Sequence, residues 1–278
     1  MTTPVRRRGR SLRARLLGYI TDAAARLRDA WRILTTAQAR LLTALARIRP
    51  GRQAGPRIRA AVAEFNRAIA AFHREAGGFI DRWVSVDLAL VYREGGLTLL
   101  DRAARPGGRF TWTRRHQAQV TLLSAQFFAD LTARIQEAIR RARAFLRDAQ
   151  TDAYARDAHF DPDVLLAQHR LDTVVYRDNS RHPVDAWAHA AITWQAVTTA
   201  NTGAARTALD ELGVTFLEVR DGPDCGWQSH DDPDKANRTL RTVQDALAHP
   251  TAHPHCQREF LPRLDLADRT TIRSGAAL

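Results

Sequence analysis

The chain has 278 residues, enough to bury a substantial core and to hold one large or two small domains. A hydrophobic fraction of 45% is that of an ordinary globular protein and excludes an intrinsically disordered chain. The net charge of +12 is unevenly placed, because residues 1–60 carry fifteen arginines against two acids, Asp22 and Asp29. An arginine-rich coding bias would spread the excess evenly. A field concentrated in one segment suits an anionic partner, phosphate backbones above all.

In chain order, residues 1–10 are basic and lack a regular pattern. Their acid-free, Arg-rich character also fits an organellar transit peptide, but the helical pattern that follows runs well past the length of one. From Ser11, a fair N-cap, apolar residues recur at Leu12, Leu16, Ile20, Ala23, Leu27, Trp31, Leu34, Leu41, Leu45 and Ile48, the spacing of an amphipathic helix. Pro50 and Gly51 stop it. The leucine stripe reads as a seam against another helix, so Arg6, Arg7, Arg8, Arg10, Arg13 and Arg15 are the candidates for contact with an anionic partner. A basic amphipathic helix can also lie on a membrane, but this length argues for helix packing.

After a Gly/Pro hinge at 50–56, a second helix is predicted from Pro56 to Ala76, ended by Gly77 and Gly78. A third, Ile80 to Ala104, contains Gly95 and Gly96, which permit a close crossing or a kink. The stretch 79–100 is interrupted by Asp81, Arg82, Asp87, Arg93 and Glu94, and no apolar run reaches the roughly 18 residues that span a bilayer. No membrane partner is expected. A long helix from Thr113 to Ala155 buries Val120, Leu123, Phe127, Leu131, Ile135, Ala138, Ala142 and Phe145, while Arg134, Arg140, Arg141 and Arg143 read as a solvated face with local salt bridges. A short helix is predicted over 161–175. Asn179, Ser180 and Pro183 then break the chain ahead of a helix from Val184 to Leu212, capped by Gly213. Residues 214–219 read as a strand, and residues 268–278 as a tail.

Val219 to Pro262 is different in kind. It holds both cysteines, Cys225 and Cys256, with His230, His249, His253 and His255, and has little apolar periodicity. Zinc takes thiolate and imidazole ligands from two short knuckles, which Cys225 with His230 and His253 with Cys256 could supply. Reduced thiols and a disulfide are the alternatives. The disulfide needs an oxidising compartment, and no secretory signal with an apolar core is present. Asp221, Asp224, Asp231, Asp232 and Asp234 could converge on a hard cation as in a nuclease, yet Asp and Pro crowd together here as turn formers. No phosphate loop, nucleophile elbow or dinucleotide fingerprint appears, and no catalytic residue is assigned. Trp112 and Trp227 could stack on bases, but beside turns they read as core.

The order of features here is a strand, DGPDCGW, an acidic SHDDPD turn, a polar helix and then HPHCQREFLPR. It resembles the C-terminal domain of phage Mu F-like minor capsid (head morphogenesis) proteins. Its closing element is His253-Pro254-His255-Cys256-Gln257-Arg258, with Gln257 where a basic residue often directly follows the Cys. The reading is a mainly α, elongated helical protein with a small α+β C-terminal domain: an arm (1–55), a helical domain (56–212), the Cys/His domain (213–267) and a tail. The resemblance implies a minor protein of a tailed-phage head that aids head assembly, DNA packaging or DNA delivery. Its partners would be the portal protein, other head proteins and packaged double-stranded DNA. Its location would be the virion, after the host cytoplasm during assembly, and the arginines named above would face DNA or the portal. A zinc-stabilised DNA-binding protein and a toxin-like effector enzyme are the other readings.

Overall fold

The computed structural model describes residues 11–49, 51–103, 109–155, 160–176, 178–221 and 237–267. The chain is mainly helical with a small sheet towards its C-terminal end. Its helices are α1 (Leu12–Ala46), α2 (Ala54–Arg82), α3 (Leu88–Arg102), α4 (Arg114–Ala155), α5 (Pro162–Gln168), α6 (Val184–Leu212) and α7 (Val243–Ala248). The strands are β1 (Thr173–Val175), β2 (Arg181–Pro183), β3 (Phe216–Arg220), β4 (Leu240–Thr242) and β5 (Glu259–Pro262). These fall into two compact units, one of residues 1–22, 83–127 and 189–278, the other of residues 23–82 and 128–188. The described residues of the segment 213–267 lie wholly within the first.

In the second unit, the apolar stripe of α1 becomes core: Leu27, Trp31 and Leu34 are buried, as are Phe65, Ile69 and Phe72 of α2 and Phe145 of α4. Trp31 meets Phe72 edge-on at 5.3 Å, Phe65 meets Phe145 likewise, and the Trp31 indole N–H donates to the Leu171 carbonyl. The expected solvated face of α4 is only partly so. Arg140 pairs with Glu137, but Arg141 donates to the Thr173 and Arg170 carbonyls, and Arg134 donates to the Val175 carbonyl while stacking on Tyr176. Burial holds the Arg141 pKa below its ordinary value. These guanidiniums anchor β1, which pairs antiparallel with β2 where the sequence predicted helix through Val175. The helical pattern ends at Gln168 because the backbone groups beyond it find partners across the chain.

Gly77 and Gly78 do not end α2. Phe72, Ala76, Phe79 and Ile80 are buried around them, and that packing outweighs about 1 kcal/mol of helix propensity per glycine. The helix instead changes pitch at Trp83–Asp87, a π turn leading directly into α3. Trp83 is buried and donates to Gln195, and Ser124 donates to the Val84 carbonyl.

In the first unit, α3 and α6 cross in close contact. A Cβ on Gly95 would lie 1.7 Å from the Ala200 carbonyl oxygen, and one on Gly203 2.2 Å from that of Tyr92. The crossing allowed by Gly95 is therefore present. Gly213, at φ +62, ends α6 in the left-handed region. The sheet β4-β3-β5, antiparallel throughout, packs Leu217, Val219 and Phe260 with Leu99, Leu100, Ala205 and Ala208.

Candidate functional site

The sheet is closed by a buried ion pair. Asp221 directly follows β3 and Arg258 directly precedes β5, so the antiparallel pairing of those strands brings the two side chains together. The Arg258 Nε and Nη2 donate to the two Asp221 carboxylate oxygens at 2.8 and 3.1 Å, a bidentate fork with both side chains essentially out of solvent. Arg258 Nη1 donates to the His249 carbonyl, and the Asn201 amide donates to the carbonyls of Pro250 and Arg258. One guanidinium and one amide thus fasten α6, the turn after α7 and the start of β5. The next residue, Glu259, accepts from the first backbone N–H of α1, at Leu12, and from Arg102 of α3. A carboxylate at that helix end also suits the helix dipole.

Cys256 is buried two residues before this pair, and its backbone N–H donates to the His253 carbonyl. Burial pushes its thiol pKa up, so a metal ion would have to displace a proton to bind there. Beside it lies a cavity of about 150 Å³ lined by Leu12, Leu16 and Ile20 of α1 and Thr193 and Val197 of α6.

Of the four expected zinc ligands, Cys225 and His230 lie outside the described residues, as do Asp224, Asp231, Asp232, Asp234 and Trp227. Among the described residues no three Cys, His, Asp or Glu side chains form a group able to hold a metal. Of the expected basic contacts, Arg6, Arg7, Arg8 and Arg10 lie outside the described residues. Arg13 is exposed, whereas Arg15 is engaged within the fold by Glu94 and Asp101. Trp112 stacks on Tyr92 yet remains 43% exposed.

Sequence reasoning missed Asp221 with Arg258. The available signal was an acid just after one strand and a base just before another, but 37 positions separate them and spacing along the chain does not pair them. It also missed a polar group under the aromatic cluster of Tyr92, Phe110 and Trp112. There His116 is buried with Nδ1 3.0 Å from the Tyr92 hydroxyl. Burial raises the Tyr92 pKa and lowers that of His116. Compared with family models, curated proteins and solved structures, the chain matches none.

Proposed function

We propose that this chain is a minor structural protein of a tailed-phage head, associated with the portal, without enzymatic activity, aiding head assembly, DNA packaging or DNA delivery. The observation that carries the reading is the Asp221–Arg258 clasp. The Mu F-like pattern places an acidic residue and a cysteine after a strand and closes with a His-Pro-x-Cys-Arg element, and here an acid after β3, Asp221, and the arginine of the closing element, Arg258, form one buried fork. The displacement of the arginine by one position, past Gln257, is accommodated because Gln257 is exposed while Arg258 is inside. In this reading the small sheet is a docking module for portal or head proteins, and the basic N-terminal segment faces packaged DNA. Zinc would join Cys225 and His230 to His253 and Cys256.

The test is recovery of the chain from phage particles purified by density banding and treated with nuclease. The expected result is co-recovery with the portal protein at few copies per particle. Absence from DNA-filled particles, with the chain confined to the soluble cell fraction, overturns the proposal.

A further inference from the structure

Residues 30–63 contain seven arginines and no acid. Arg32 is drawn back to Asp29. Five others, Arg47, Arg49, Arg52, Arg57 and Arg59, gather where α1 ends and α2 begins, all of them exposed. The two helices form a hairpin, since Leu41 and Ala44 of α1 line one groove together with Ala61 and Phe65 of α2. No ion pair among the described residues involves any of the five. Elsewhere in the same unit several arginines are engaged, Arg140 by Glu137, Arg170 by Asp172, and Arg134 and Arg141 by carbonyls, and the exposed ones, such as Arg67 and Arg74, are spread along helices instead of gathered at one helix junction.

Local stability does not account for this cluster. Arg47 and Arg49 stand at the negative end of the α1 dipole, where cations are favoured. Arg52, Arg57 and Arg59 stand at the positive end of α2, whose first turn holds no acid to offset them. The five guanidiniums repel one another, the three at the start of α2 also oppose that helix end, and an external anion relieves both.

The geometry points to the tip of the α1–α2 hairpin as a binding site for the phosphate backbone of double-stranded DNA, held by Arg47, Arg49, Arg52, Arg57 and Arg59. The hairpin's own side chains select that ligand. Among its described residues no large exposed hydrophobic side chain lies between Leu17 and Val86. The hairpin itself therefore supplies no aromatic platform of the kind single strands stack on, no apolar anchor for membrane insertion and no aromatic anchor for a protein interface. Arginine forks matched to phosphate oxygens remain. The inference rests on the DNA-facing half of the proposed function and moves that contact to other residues. Loss of portal association with DNA binding intact would sink the head-protein reading and leave this one standing.

The experiment measures binding of the full chain to a duplex by fluorescence anisotropy across a salt series. One variant carries Arg→Gln at the five tip positions. A control carries R67Q, R74Q, R140Q, R143Q and R147Q, removing equal charge from other exposed positions. The tip variant is expected to bind at least about tenfold more weakly and to lose about four from the slope of log affinity against log salt, with the control losing less than about one. Should the fivefold change prevent folding, R52Q with R57Q decides by the same criterion with a slope change of about two. Equal losses in tip and control variants overturn the proposal. So does undiminished binding by the tip variant, or binding of the unaltered chain to phosphatidylglycerol vesicles or polyglutamate but not to duplex.

Discussion

Arg258 and Asp221 show how much one pair of side chains can be required to do. Two opposite charges out of solvent are held by mutual attraction and by the further bonds of the guanidinium, so removing one strands the other. Asp221→Ala is expected to destabilise the chain by about 3–5 kcal/mol, read as a lowered urea midpoint. An apolar pair, Asp221→Leu with Arg258→Met, should recover much of that loss, because it strands no charge. His116 makes a second, pH-dependent prediction. Burial lowers its pKa from 6.5 and is the largest cause; Asp210 opposes it, and the charge of Arg206 adds a smaller lowering. The unfolded chain therefore takes up the proton before the folded one. His116 contributes stability above about pH 6.5 that is lost as the pH falls towards its depressed folded value, by up to about 1.4 kcal/mol per pH unit. Unfolding free energies measured from pH 7 to 5 should fall less steeply in His116→Gln than in the parent.

At the scale of elements, four glycines in helices play two opposite parts. At Gly95 and Gly203 the missing Cβ lets α3 and α6 touch backbone to backbone, and no rotamer can relieve a methyl placed against a carbonyl oxygen. Gly95→Ala is expected to lower stability by more than about 3 kcal/mol, since the crossing itself must open and neighbouring core contacts are lost with it. Gly77 and Gly78 have nothing within 4 Å of an added Cβ. There, Gly77→Ala should stabilise α2 by about 0.5–1 kcal/mol through reduced backbone entropy. Thermal melts of the two variants should move in opposite directions, and a destabilising Gly77→Ala would mean that α2 does not continue through this point.

For the molecule as a whole, the distribution of charge is more informative than its total. Arg15, Arg32, Arg102 and Arg140 are spent on internal carboxylates, which leaves the hairpin arginines as the concentrated excess among the described residues. Zinc has its own measurement. Protein purified without added metal should carry about one equivalent, released with a fall in stability on chelation. Zinc near zero, with Cys225 free to react in the folded chain and Cys256 reacting only after unfolding, would remove it.

The amphipathic period made α1, α4 and α6 legible to within a residue or two, because the pattern that predicts a helix is the one that buries its face. The zinc set and the arm arginines were read from the same text, but Cys225, His230, Arg6, Arg7, Arg8 and Arg10 lie outside the described residues. Three-residue strands such as β1 carry no period of their own, and it took β2 and the arginines of α4 to hold one at Thr173–Val175. The same holds for the clasp: Asp221 and Arg258 are 37 positions apart, and only the pairing of β3 with β5 makes them neighbours. Composition and spacing on their own determined that this is a helical, strongly basic chain with a distinct C-terminal segment. Which charges are neutralised inside and which face outward was decided by tertiary structure, because ion pairing depends on distance in space and not on order along the chain.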